Sequence, residues 1–135
     1  MHMEDGITLA ACLQVTRKDD IPLAAWVYNK LHFERVSCAQ GVGFKNRENW
    51  HCTNWEVMLE DSKVLGKLVS DWLAKHNSEK HAYENYDACA KHIKEGMPFT
   101  DTNICQGYIY EPWTVQDPVN AANEGGIMQD TGNWS

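Results

Sequence analysis

The stretch TNWEVMLEDSKVLGKLVSDWLAKH, residues 53–76, predicts one long helix around which the rest of the chain is organised. Thr53 and Glu56 have the T-x-x-E spacing of a capping box, in which each side chain accepts a hydrogen bond from a backbone N–H near the other. Placed at ~100° per residue, the apolar side chains from Trp55 to Leu73 fill an arc of about 220°. Because one neighbour cannot cover an arc that wide, we expect this helix to be buried from at least two sides.

Two further helices are predicted, one on each side of the central one in sequence. Asp20 is a good N-cap for a helix over 20–35, which follows a short polar break. Ser78 is predicted to cap a helix over 79–95, and Gly96 stands where a left-handed residue commonly ends a helix.

Strands are predicted where the apolar pattern has a period of two. Residues 7–16 alternate in this way, with Ile7 and Val15 at the two ends of the more apolar face. Residues 103–111 are rich in aromatic and β-branched side chains, and 36–44 could form a third, short strand.

Together these elements predict an α+β fold. Three helices pack on a small, largely antiparallel sheet of two to four strands, and the central helix lies between the sheet and the other two helices. We expect a single domain over residues 1–135, with 1–6 as an N-terminal extension. Residues 117–135 lack periodicity, so they are predicted to form an irregular tail laid on the surface or on a partner.

Charge and hydropathy exclude some classes of function. The net charge of −7 argues against direct nucleic-acid binding, which requires a basic surface. No stretch approaches the ~18 apolar residues of a membrane span, and the N-terminus does not have the pattern of a secretory signal. We therefore expect a cytoplasmic protein with no membrane contact.

The five cysteines contain no C-x-x-C motif and are expected to be reduced and mostly buried. Cysteine and histidine side chains that could in principle approach one zinc ion are Cys38, His51, Cys52, Cys89 and His92. Because their spacings match no common zinc module, we predict neither a metal site nor a cofactor.

Six tryptophans are more than a core of this size needs, so some are candidates for partner contact. Trp26 and Phe33 are seven residues apart and lie on a different side of their predicted helix from its core stripe. They either pack under the following loop or dock another protein. Trp134 in the tail is a third candidate for a partner-binding residue.

Residues 41–51 are predicted to form a loop that suits an anionic or planar ligand. Two glycines, Gly41 and Gly43, permit unusual backbone geometry there. The candidate ligand-binding side chains on this loop are two cations and two rings, Lys45, Arg47, Trp50 and His51. The glycine spacing lacks the full pattern of either a dinucleotide loop or a P-loop, so an ordinary loop is the alternative.

No catalytic signature surrounds any cysteine, histidine or carboxylate, so the sequence argues against catalysis without excluding it. The leading prediction is a non-catalytic binding protein that contacts another protein, in one form an acidic inhibitor that covers the basic surface of a nucleic-acid-handling protein. Self-association is a further expectation. The alternatives are a nucleotide-like ligand bound by the 41–51 loop and, third, a metal-dependent enzyme. No known family is indicated by these motifs.

Overall fold

The computed structural model describes residues 2–52, 71–126 and 132; of these, residues 2 and 48–52 are described by their backbone alone. The helices are α1 (His2–Val15), α2 (Ile21–Cys52), α3 (Asp71–Ala74), α4 (Ser78–Glu95) and α5 (Gln116–Asn123). None of the described residues lies in a strand, so the predicted α+β fold is wrong and this part of the chain is helical.

The chain forms two compact units. The first contains Met1–Val36 and Lys75–Ile104, and the second contains Ser37–Ala74 and Cys105–Ser135. Within the described ranges, no helix combines the length and the hydropathy that a membrane span requires.

The predicted strand over 7–16 is helical because small residues, rather than the large apolar ones, face the core. Thr8, Ala11 and Cys12 are buried at helical spacing, whereas Ile7 and Leu13 are each more than two-fifths exposed. The apolar residues of this stretch therefore alternate in sequence, but they do not form one buried face. Glu4 and Asp5 in the first turn also favour a helix, because carboxylates there interact well with the helix dipole.

Helices α1, α2 and α4 enclose the core of the first unit. α1 packs against α4. The buried side chains of this hydrophobic core come from all three helices and are Ala11, Cys12, Leu23, Ala24, Val27, Leu31, Ala82, Tyr86 and Cys89. The helix predicted over 20–35 is confirmed at its start, but it continues to Cys52 and so replaces the strand predicted over 36–44.

The strand predicted over 103–111 is wrong, because none of these residues lies in a strand. Tyr108 N–H donates to Cys105 C=O across a turn, and Gly107 has a positive φ of 78°. β-branched and aromatic residues favour strands only where neighbouring strands accept their hydrogen bonds, so the residue pattern alone did not suffice.

The tail that was predicted to be irregular contains α5. Thr114 donates to the Asp117 carboxylate through both its backbone N–H, at 2.6 Å, and its hydroxyl, at 3.0 Å. Pro118 in the first turn is buried, a position where proline costs a helix no hydrogen bond. The T-x-x-D spacing of Thr114 and Asp117 was therefore a helix signal that the composition of the tail concealed.

Most of the predicted central helix, residues 53–70, lies outside the described residues, and so does its capping box. Its last turn is present as α3, in which none of the four side chains is fully buried. Helix α4 has the predicted extent and ends at Gly96, which has a φ of 71°. Its N-cap, however, is Asn77 rather than Ser78, because the Asn77 side chain accepts the backbone N–H of Lys80 at 2.9 Å.

Asn77→Ala removes this cap and should lower the free energy of unfolding by about 1 kcal/mol, because the Lys80 N–H then lacks its acceptor. Denaturant unfolding followed by circular dichroism measures the loss. Asn77→Asp keeps an acceptor at the same position and should unfold within about 0.5 kcal/mol of the wild type. Equal losses in the two variants would show that the cap does not act through this hydrogen bond.

Candidate functional site

Arg35 of α2 is the centre of a buried polar cluster in the first unit. Its side chain is 1% exposed, although arginine is rarely buried without partners. Nε and Nη2 donate to the two carboxylate oxygens of Glu4 in α1, at 2.9 and 3.1 Å. Nη1 donates to the backbone carbonyl of Asn103 at 2.9 Å. The guanidinium thus joins α1, α2 and the segment that follows α4.

Asn103 makes the second attachment of that segment to α2. Its side-chain Nδ2 donates to the backbone carbonyl of Leu31 at 2.9 Å. Asp101 is buried two residues earlier, and its Oδ1 accepts the backbone N–H of Asn103 at 3.4 Å. Residues 101–103 are consequently held by side-chain hydrogen bonds. A strand would instead be held by backbone hydrogen bonds to a neighbouring strand.

Two histidines lie beside this segment. His81 Nε2 is 3.4 Å from Asp101 Oδ1, and the ring centroids of His76 and His81 are 5.3 Å apart. Burial lowers the pKa of His76 to about 4, and the nearby Arg35 and His81 act in the same direction, against the smaller opposite effects of Glu4 and Asp101. His76 is therefore neutral near pH 7.

A further contact joins α1 to α2 in the same unit. His32 Nε2 lies 2.7 Å from Asp5 Oδ1, and the His32 ring stacks on Tyr28 with centroids 5.3 Å apart. Burial, with Asp5 nearby, raises the pKa of Tyr28. The contact with Asp5 connects α2 to α1, whereas the stack on Tyr28 lies within α2, and His32 is only 7% exposed.

Arg35, Glu4 and Asn103 form a structural clamp, which we call the Arg35 clamp. All three nitrogens of the guanidinium donate to protein oxygens, and the Arg35 side chain does not reach solvent. Asp101 Oδ2 and Asn103 Oδ1 are buried and find no hydrogen-bond donor in the described part of the chain. A charge enclosed in this way orients the elements around it and does not present itself to a small molecule.

The predicted ligand loop is wrong as a loop, because residues 41–51 belong to α2. Neither Gly41 nor Gly43 has a positive φ, so the expected special backbone geometry is absent from this stretch. Lys45 is half-buried and Arg47 is exposed, both on α2 in the second unit.

Binding of a ligand by Lys45 and Arg47 stays a prediction. The side chains of Trp50 and His51 lie outside the described residues.

The predicted partner-binding residues of α2 are on the surface. Trp26 is 63% exposed and Phe33 is 49% exposed, so the following loop does not bury them. Trp134 lies outside the described residues. Contact of these side chains with another protein, or with a second copy of the chain, stays a prediction.

The cysteines and histidines weighed as zinc ligands have other surroundings. Cys89 is in the core of the first unit, where burial raises its pKa to about 11. His92 Nδ1 lies 2.6 Å from the Met97 carbonyl oxygen. Among the side chains that the structure describes, no three histidine, cysteine or acidic groups are placed to hold a metal ion. The Cys52 side chain lies outside this part.

Sequence reasoning missed the cluster itself. Arg35 fell at the expected end of a helix, Glu4 in the N-terminal extension, and Asn103 at the start of a predicted strand. Glu4 and Arg35 are 31 residues apart, and Arg35 and Asn103 are 68 apart. The one available signal was an arginine on the apolar side of α2, four residues after the buried Leu31.

Comparison with known proteins gives a consistent group of relatives. The chain is 36% identical over 98% of its length to "FAD-dependent monooxygenase fsr3" of Gibberella fujikuroi and 33% identical over 98% to "FAD-dependent monooxygenase mdpD" of Emericella nidulans. It is 33% identical over its whole length to a "FAD-dependent monooxygenase" of Claviceps purpurea. The chain covers only 26%, 26% and 28% of these three proteins, about a quarter of their length.

No family model matches the chain. No solved structure matches it either.

These relatives overturn the leading functional prediction. Proteins that resemble nearly the whole chain are named as monooxygenases, which are enzymes, and not as non-catalytic binding proteins or acidic inhibitors. The prediction failed because the lack of catalytic motifs in these 135 residues was interpreted as evidence for a non-catalytic function.

Arg35→Met should lower the free energy of unfolding by about 3 kcal/mol, because it leaves the Glu4 carboxylate and the Asn103 carbonyl without their donor. Glu4 keeps about a quarter of its side chain in solvent, which places the loss at the low end for a broken buried pair. Urea unfolding at neutral pH measures it.

The double variant Glu4→Gln with Arg35→Met is the matched control, since it removes the unpaired charge together with its partner. We expect it to be more stable than Arg35→Met alone. A loss below about 1 kcal/mol in Arg35→Met would contradict the clamp.

His76 should make the first unit less stable in acid. Its folded pKa of about 4 is below the ordinary value of about 6.5, so between these values the unfolded chain binds a proton that the folded chain does not. The contribution of neutral His76 to the free energy of unfolding is therefore fully present above pH 6.5 and is lost as the pH falls towards 4. Unfolding free energies measured across this range should decline less in His76→Gln than in the wild type. Parallel curves for the wild type and His76→Gln would refute the assignment.

Proposed function

We propose that this chain supplies a helical portion of a FAD-dependent monooxygenase. The observation that carries the proposal is the similarity of 33–36% over nearly the full chain to relatives that are named for this activity. Identity at this level over the complete match supports a shared local structure, and the activity named for the relatives belongs to proteins roughly four times as long.

The described residues do not fit FAD itself. A dinucleotide is commonly held by a glycine-rich turn that leads from a strand into the N-terminus of a helix. Among the described residues, the glycines with positive φ are Gly96, Gly107, Gly125 and Gly132. Two of them follow a helix, and Gly107 lies nine positions before the start of α5. Within 2–52 and 71–126 there is no strand from which such a turn could begin.

We therefore assign the flavin to parts of the longer monooxygenase other than this chain, and a scaffolding role to the first unit. Its contribution follows from the Arg35 clamp, which fixes α1, α2 and residues 101–103 to one another. A rigid helical body of this kind can support a catalytic site without contributing a reacting group. A cytoplasmic location stays a prediction.

A chimera tests the proposal. The matching segment of the Gibberella fujikuroi relative is replaced by this chain, and the purified protein is examined for bound flavin by visible absorbance and for oxygen consumption. We expect flavin to be retained and kcat/KM to stay within about tenfold of the parent, a loss below ~1.4 kcal/mol in transition-state stabilisation. A folded chimera with neither flavin nor activity would contradict the proposal.

Two controls separate the scaffolding role from cofactor binding. The same chimera with Arg35→Met should melt at a lower temperature but keep its flavin content per folded molecule. The 135-residue chain alone, incubated with FAD and dialysed, should retain none. Retention of FAD by the chain alone would show that residues of this chain hold the cofactor.

A further inference from the structure

Two cysteines of the second unit touch each other in its interior. Cys38 of α2 and Cys105 are 0% and 1% exposed, and their sulfur atoms are 3.8 Å apart. They are 67 residues apart in sequence, so the fold alone brings them together. Neither of them is in a disulfide.

This separation is close to the geometry of a cross-link. A disulfide requires a sulfur–sulfur distance of about 2.05 Å, so the two sulfur atoms must approach each other by roughly 1.8 Å. Gly132 lies against Cys105, because a Cβ built on that glycine would be 2.6 Å from the Cys105 sulfur. The sulfur is consequently enclosed, and only a small oxidant can reach it.

We propose that Cys38 and Cys105 form a redox-sensitive thiol pair that a peroxide converts to a disulfide. One thiolate attacks one oxygen of the peroxide, the O–O bond breaks, a sulfenic acid forms, and the other oxygen leaves and is protonated to water or an alcohol. The second thiol then attacks the sulfenic sulfur, the S–S bond forms and water leaves. The two sulfurs together lose two electrons and two protons, and the peroxide is reduced.

The bond would secure a segment that already contacts α2. Trp113 Nε1–H donates to the Ser37 hydroxyl at 2.7 Å, and the Trp113 ring meets Phe44 edge-on with centroids 5.7 Å apart. Both contacts are within the second unit. Oxidation adds a covalent link beside them, so the segment from Cys105 to Trp113 would be attached to α2 at both ends.

The other described cysteines provide an internal comparison. Cys12 and Cys89 are buried in the first unit, and burial raises the pKa of each to about 11. They belong to the first unit, whereas Cys38 and Cys105 touch each other within the second, so we do not expect Cys12 or Cys89 to take part in this cross-link.

The test uses the full chain treated with hydrogen peroxide and then with an alkylating reagent under denaturing conditions. We expect the loss of two free thiols and, after proteolysis, a linked pair of peptides that contain Cys38 and Cys105. The melting temperature should rise on oxidation and return to its initial value after reduction by dithiothreitol. An unchanged thiol count, a link through any other cysteine, or oxidation only to sulfinic or sulfonic acid would overturn the proposal.

Variants make the assignment specific. Cys38→Ser and Cys105→Ser should each abolish both the linked peptides and the oxidation-dependent rise in melting temperature. Cys12→Ser is the matched control and should retain both. Because the peptide map of the wild type identifies the bond directly, the test stands even if a serine variant fails to fold.

Discussion

The first unit depends on an arginine taken out of water. Arg35 can be buried only if oxygens replace its hydration, and two of its three partners, the carboxylate oxygens of Glu4, come from α1. The third is the Asn103 carbonyl, from the segment that follows α4. The hydrophobic core around Leu31 excludes solvent but is not directional, whereas the guanidinium fixes the positions of its partners. Apolar burial therefore makes the unit compact, and the hydrogen bonds of Arg35 fix the positions of α1, α2 and the segment after α4 relative to one another.

Sequence reasoning succeeded where the signals were local. The helix over 79–95 was recognised from its apolar spacing and from Gly96, and the start of α2 from the polar residues before it. It failed at 7–16 and 103–111, where the helical or irregular conformation is decided by tertiary packing. An alternating apolar pattern cannot show that Thr8 and Cys12, rather than Ile7, face the core.

The candidate site was less accessible to sequence reasoning than the fold. Each member of the cluster is ordinary in its own surroundings, and the partners of Arg35 are distant along the chain.

The function could not be predicted from the sequence for another reason. The relatives are monooxygenases about four times as long as this chain, so motifs for the cofactor need not lie in the matching quarter. An acidic, tryptophan-rich composition then suggested protein contact, because nothing in the residues indicated a flavin enzyme.

The first unit is also discontinuous, and this bears on how it is made. Residues 37–74 are synthesised between its two halves, and Asn103 follows Arg35 by 68 positions. At translation speeds of about 5–20 residues per second, Arg35 waits roughly 3–14 seconds on the ribosome before its last acceptor has been added. During that interval the nascent helices carry an arginine with an incomplete set of hydrogen-bond acceptors.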